Sequence, residues 1–249
     1  AQTVTVTGVA NGSSTITINF TPTDTSNYNN AAAKTYTATI ANSATAPTNS
    51  LCVSRTYNGS AQTLVSATTG TGYTLSGYSQ TNANESGYTI TATLTSGYRW
   101  SDNTTGTKTF KCPLKKATPT ITLSATSGTV VKGKTMTFTE KANVAGKFTN
   151  ASGTTSVATV SPTSNTTAIA ANTAQTVTVT GVANGSSTIT INFTPTDTSN
   201  YNNAAAKTYT ATITNSATAP TNSLCVSRTY NGSAQTLVSA TTGTGYTLS

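Results

Sequence analysis

The chain has 249 residues, 35% hydrophobic and only 7% charged, with thirteen basic against five acidic side chains for a net charge of +8. That length suits one large domain or two to three small ones. Histidine is absent, which excludes Ser-His-Asp triads, histidine acid-base catalysis and histidine metal sites.

Ser and Thr together supply 92 residues, a content that fits either a disordered Ser/Thr stalk or a β-rich globular chain. Periodicity selects the second. Val4 and Val6 fall on one face of a strand with Thr3, Thr5 and Thr7 on the other, and beyond Asn11-Gly12 the residues Ile16, Ile18 and Phe20 again alternate with polar ones. Thr is β-branched and tolerates water, so it suits the outer face of such strands. Asn11-Gly12 predicts a tight turn joining the two stretches as an antiparallel hairpin. The run Ala31 to Ala33 is too short for a stable helix, and KTYTATI after it reads as another strand.

ANSATAPTNS around Pro47 and CPLKKATPT around Pro113 and Pro119 read as linkers. Between them lies a smaller β module, residues 46–116, whose clearest buried face is Tyr88, Ile90, Ala92 and Leu94. Beyond them, seven alternating stretches (TPTITLSA, TVVKGKTMTFTEKA, GKFTNAS, VATVSP, QTVTVTG, STITINF and KTYTATI) predict a larger β-sandwich over residues 117–216. Residues 1–76 return as 174–249 with one difference, Ala41 against Thr214, a period of 173. Residues 1–45 are therefore expected to be the second half of a larger module, and 217–249 the first part of a smaller one. Half a sandwich leaves edges and core residues uncovered, so the chain is expected to be a window onto a longer array. The fold expected throughout is all-β, as tandem immunoglobulin-like sandwiches in a two-module repeat.

The run FTPTDTSNYNNAAAKTYTATI, and SVATVSPTSN followed by QTVTVTGVANGSSTITINF, resemble the second half of bacterial immunoglobulin-like repeats of the group-2 type. RTYNGSAQTLV and GYTLSGYSQTNANESGYTITATLTSGYRW resemble companion modules of large bacterial surface proteins. The resemblance implies an extracellular tandem array used as an adhesin stalk, spacer or surface fibre. It implies no ligand.

Of the three cysteines, Cys225 is the copy of Cys52, and its partner is expected outside the window. Cys52 and Cys112 are expected to pair within the smaller module, where closing the loop would stabilise by about 4 kcal/mol. The competing reading is two buried free thiols acting as small hydrophobes.

Nothing in the sequence points to an enzyme. Asp24, Glu85, Asp102, Glu140 and Asp197 form no local carboxylate pair, and P-loop, dinucleotide and calcium-loop patterns are missing. No cofactor or metal is expected. Sandwiches of the kind resembled sometimes carry a Lys-Asn isopeptide bond, and Lys132, Lys134, Lys141, Asp197 and Asn200 supply the residue types, but in no recognisable motif. They read better as exposed lysines and a turn. The basic residues are scattered, with Lys115-Lys116 the only adjacent pair, so a nucleic-acid partner is not expected. Weak attraction to acidic cell-wall polymers or glycans is the residual role of the charge. No run is long and apolar enough for a transmembrane helix, and the Thr rows recur too rarely for an ice-binding lattice.

The function expected is structural: a stalk, spacer or fibre at the cell surface, contacting neighbouring repeats and lateral copies. The alternative is an adhesin binding glycan or a cell-surface ligand through Tyr73, Tyr78, Tyr98, Arg99 and Trp100, rings of the kind that stack on sugars. Against it stands the need of so small a module for large core side chains.

Overall fold

The structure, a computed structural model, describes residues 2–249 and divides into two compact units between Lys116 and Ala117. Its regular structure is β-strand and two short 3-10 turns, without α-helix among the described residues. The alternating pattern of the sequence is the cause, since side chains of successive strand residues point to opposite faces.

The first unit contains β1 (Gly12–Ile18), β2 (Lys34–Ile40), β3 (Asn42–Ala44), β4 (Arg55–Thr56), β5 (Gln62–Thr63), β6 (Thr69–Gly70), β7 (Tyr73–Ser76), β8 (Ser79–Gln80), β9 (Asn84–Leu94), β10 (Tyr98–Trp100) and β11 (Lys108–Lys115). A five-stranded sheet in the order β4-β11-β9-β7-β6 is flanked by the pairs β3-β10 and β5-β8. Its core gathers Leu64, Leu75, Ile90, Ala92, Trp100 and Leu114. Cys52 and Cys112 form a disulfide with Cα atoms 5.4 Å apart, closing a separation of 60 residues and fixing the 3-10 turn at Asn49–Leu51 to β11.

The second unit contains β12 (Ile121–Leu123), β13 (Ser127–Val131), β14 (Thr135–Ala142), β15 (Gly146–Ser152), β16 (Ala158–Ser161), β17 (Gln175–Gly181), β18 (Gly185–Pro195), β19 (Lys207–Thr214), β20 (Thr242–Gly243) and β21 (Tyr246–Thr247). Two four-stranded sheets, β12-β14-β17-β16 and β13-β19-β18-β15, face each other as a sandwich of the immunoglobulin-like class. Between them lie Val177 and Val179 from one sheet and Ile189, Ile191, Phe193, Tyr209 and Ile213 from the other. Two ring pairs order this core: Phe138 stacks on Tyr209 at 4.2 Å, and Phe148 meets Phe193 at 4.8 Å.

Two sequence expectations change here. The stretch TVVKGKTMTFTEKA is two strands in different sheets, because Gly133 turns the chain at a positive φ of 79° between β13 and β14. Asn-Gly is not a hairpin turn. β17 and β18 belong to opposite sheets, and the link Val182 to Asn184 crosses between them. Gly185 and its counterpart Gly12 take φ of 142° and 150° there, conformations open to glycine. Alternation shows which side of a strand is dry, and that side is the same whether the next strand lies beside it or opposite it.

The repeated sequence adopts two different degrees of order. β1 and β2 pair in the register of β18 and β19, Gly12 opposite Ile40 as Gly185 is opposite Ile213. The counterpart of β17, residues 2–8, forms no strand, and Val4 and Phe20 are 62% and 65% exposed where Val177 and Phe193 are 0% and 2%. Cys225 and Leu237 are likewise exposed, whereas their counterparts Cys52 and Leu64 lie in or against the core of the first unit.

Candidate functional site

The aromatic candidates lie in the smaller module. Turn and strand bring Tyr73 at the start of β7 within 5.8 Å of Trp100 at the end of β10, ring to ring. Tyr98 packs over the backbone at Gly72, where any Cβ would collide with its ring. Trp100 is 2% exposed, and its indole N–H donates to the carbonyl of Gly106 at 2.5 Å. This corrects its reading as a stacking platform: a module this small uses its one tryptophan as core. Tyr73, Tyr78, Tyr98 and Arg99 remain half-buried. Arg99 lines an open depression of about 340 Å³ with Asn42, Ser43, Ser101 and Asn103, and its Nη1 donates to the Asn103 carbonyl at 3.2 Å. The adjoining loop is held by Lys108 Nζ on Asp102 Oδ2 at 2.6 Å, which keeps the Asp102 carboxyl well below the usual range, with help from Thr104.

A second constellation closes one end of the sandwich. Met136, Phe138, Glu140 and Ala142 share the inward face of β14, so one carboxyl enters the core. Register places Glu140 opposite Gln175, whose Nε2 donates to Glu140 Oε1 at 2.9 Å. From the other sheet, Asn150 Nδ2 donates to the same oxygen at 3.1 Å and to the Pro162 carbonyl at 3.1 Å. Asn165 Nδ2 donates to Gln175 Oε1, and its own Oδ1 accepts from the Phe148 N–H at 2.9 Å. Burial pushes the Glu140 carboxyl from its ordinary 4.5 up to about 7, with the two amides pulling the other way. Glu140 Oε2 and Asn150 Oδ1 are buried without a protein partner. The arrangement suits a neutral acid that locks the two sheets together.

Sequence reasoning listed Glu140 among the acids but missed Asn150, Gln175 and Asn165. The available signal was an acid on an otherwise apolar face of β14. Lys132, Lys134 and Lys141 are exposed, and no cation contributes to the displaced titration of Glu140. Asp197 Oδ1 accepts from the N–H groups of Ser199 and Asn200 at 3.1 and 3.0 Å, while Asn200 Nδ2 donates to Oδ2 at 2.8 Å. Asp24 repeats this turn with Ser26 and Asn27. No group of three or more His, Cys, Asp or Glu side chains able to hold a metal ion occurs among the described residues.

The class these features define is an immunoglobulin-like β-sandwich protein. No family model and no curated protein matches the chain. Among solved structures, domains 4 and 5 of the S-layer protein SbsC are 24% identical, covering 60% of this chain and 74% of that one at a TM-score of 0.32. SbsC domains 1–6 are 22% identical, over 62% of this chain and 22% of that one, at 0.33. WR4, an MSP family member of C. elegans, is 11% identical, over 38% and 97%, at 0.32.

Proposed function

We propose that the chain is a structural repeat region of an extracellular surface protein, a stalk, spacer or fibre of bacterial immunoglobulin-like modules. The observation that carries this reading is the near-identical return of 76 residues at a period of 173. Repeating module sequence in tandem adds length and leaves chemistry unchanged. The Cys52–Cys112 disulfide supports an oxidising, extracellular setting. Outward Thr faces supply a wet surface at low charge.

Immunogold labelling of intact cells, followed by electron microscopy of shed material, tests the reading. Label at the cell exterior on threads or filaments is the expected result, and label confined to the cytoplasm would overturn it. The depression beside Arg99 favours a second reading, glycan contact through the smaller module. A glycan array should then show binding that Arg99→Ala removes, and a blank array rejects it.

A further inference from the structure

We infer that Asn58 is a site of spontaneous covalent modification, where the Gly59 amide nitrogen attacks the asparagine side chain and converts it to an acid. Asn-Gly occurs four times, at Asn11, Asn58, Asn184 and Asn231, and Ser follows each pair. The local sequence is therefore the same at every site, and the fold decides which of them reacts. The inference is independent of the surface role proposed above.

Attack of the Gly59 nitrogen on Asn58 Cγ forms a C–N bond and closes a five-membered succinimide. The Cγ–Nδ2 bond breaks, and the nitrogen leaves as ammonia with the proton given up by the Gly59 amide. Water then opens the ring at either carbonyl and leaves an aspartyl or an isoaspartyl residue at position 58. Each conversion exchanges a neutral amide for a carboxylate and lowers the net charge of +8 by one.

Three features of the loop between β4 and β5 favour the attack. Asn58 and Gly59 are exposed, and no atom lies within 4 Å of where a Cβ on Gly59 would stand, so nothing crowds the forming ring. The Gly59 N–H carries no hydrogen bond among the described residues, which leaves the nucleophile unengaged. Asn58 Oδ1 accepts the N–H of Ser60 at 3.0 Å. That bond folds the carboxamide over the Gly59 peptide and places a donor on the oxygen that becomes negative as the nitrogen adds. The same bond recurs at Asn231, from the N–H of Ser233 at 3.1 Å. Asn184 is set differently. The N–H groups of Val182 and Ala183 donate to the Val157 carbonyl at 2.8 and 3.1 Å, while Gly185 and Ser186 belong to β18, opposite Ile213 and Thr212. Bringing the Gly185 nitrogen onto the Asn184 carboxamide requires this crossing link to open first.

The experiment incubates the full 249-residue chain at mildly alkaline pH, digests samples with trypsin over time and follows them by mass spectrometry, with a digest at time zero as baseline. Cleavage after Arg55 and Arg99, and after Lys147 and Lys207, puts Asn58 and Asn184 in separate fragments, 56–99 and 148–207. Fragment ions then locate each amide-to-acid conversion. Conversion is expected to run at least about tenfold faster at Asn58 than at Asn184, with an isoaspartyl residue among the products. In concentrated urea, where loop and strand are both lost and the same Asn-Gly-Ser remains at each site, the two rates should converge. Equal rates in the native chain overturn the inference. A difference of the same size in urea also overturns it, by assigning the selectivity to flanking sequence rather than to the fold.

Discussion

Glu140 holds its proton in the folded sandwich to a pH at which the unfolded chain has lost it. Its carboxyl titrates at about 7 when folded, against an ordinary 4.5. Between these values the native state binds more protons than the unfolded state, so stability falls as pH rises through the window and levels off above it. The loss attributable to this one group is at most about 3 kcal/mol. Glu140→Gln keeps the shape without the charge, and should remove the decline between pH 4.5 and 7. Urea midpoints of the second unit, followed by amide exchange at several pH values, measure this. An unchanged slope in the variant would assign the pH dependence elsewhere. The position of Glu140 on an apolar strand face was readable from the sequence. Its partners were not, because Asn150 and Gln175 reach it across a sheet gap and a strand register that alternation does not encode.

At the level of elements, the disulfide ties the first part of the smaller module to its last long strand. Residues 49–52 make a single 3-10 turn with little buried apolar surface of their own, so the covalent link to β11 limits how far they stray in the unfolded chain. Replacing both cysteines, as Cys52→Ala/Cys112→Ala, should destabilise the module by about 4 kcal/mol on the chain-entropy model. Trp100 is the only tryptophan and sits in this core, so its fluorescence reports the module selectively. A midpoint unmoved by the double substitution would show that burial alone holds it. Strands such as β15 and β17 follow from alternation residue for residue, GKFTNAS and QTVTVTG. Their assignment to sheets does not. Asn-Gly joins β17 to β18 across the core, while the same alternation with the same turn residues also fits a hairpin.

For the whole molecule, the repeated sequence separates what local preference determines from what tertiary partners determine. Identical residues give a complete strand at Gln175–Gly181 and none at 2–8, so β propensity by itself does not order this stretch. Packing does, and burying a Phe-sized side chain contributes about 1.5–3 kcal/mol. The same substitution should therefore have two very different effects. Phe193→Ala removes a ring that is 2% exposed and packed against Phe148, and should cost the sandwich about 3–5 kcal/mol. Phe20→Ala removes the same ring where it is 65% exposed, and should change stability by no more than about 0.5 kcal/mol. Amide exchange in β18 and β19 measures the Phe193 variant, and exchange in β1 and β2 the Phe20 variant, each against the parent chain. If the two costs came out equal, residues 2–40 would already be covered in solution, and the contrast between the copies would belong to neither sequence nor fold. If they differ as expected, the stabilisation that this phenylalanine supplies is set by the strands packed across it and not by its local sequence.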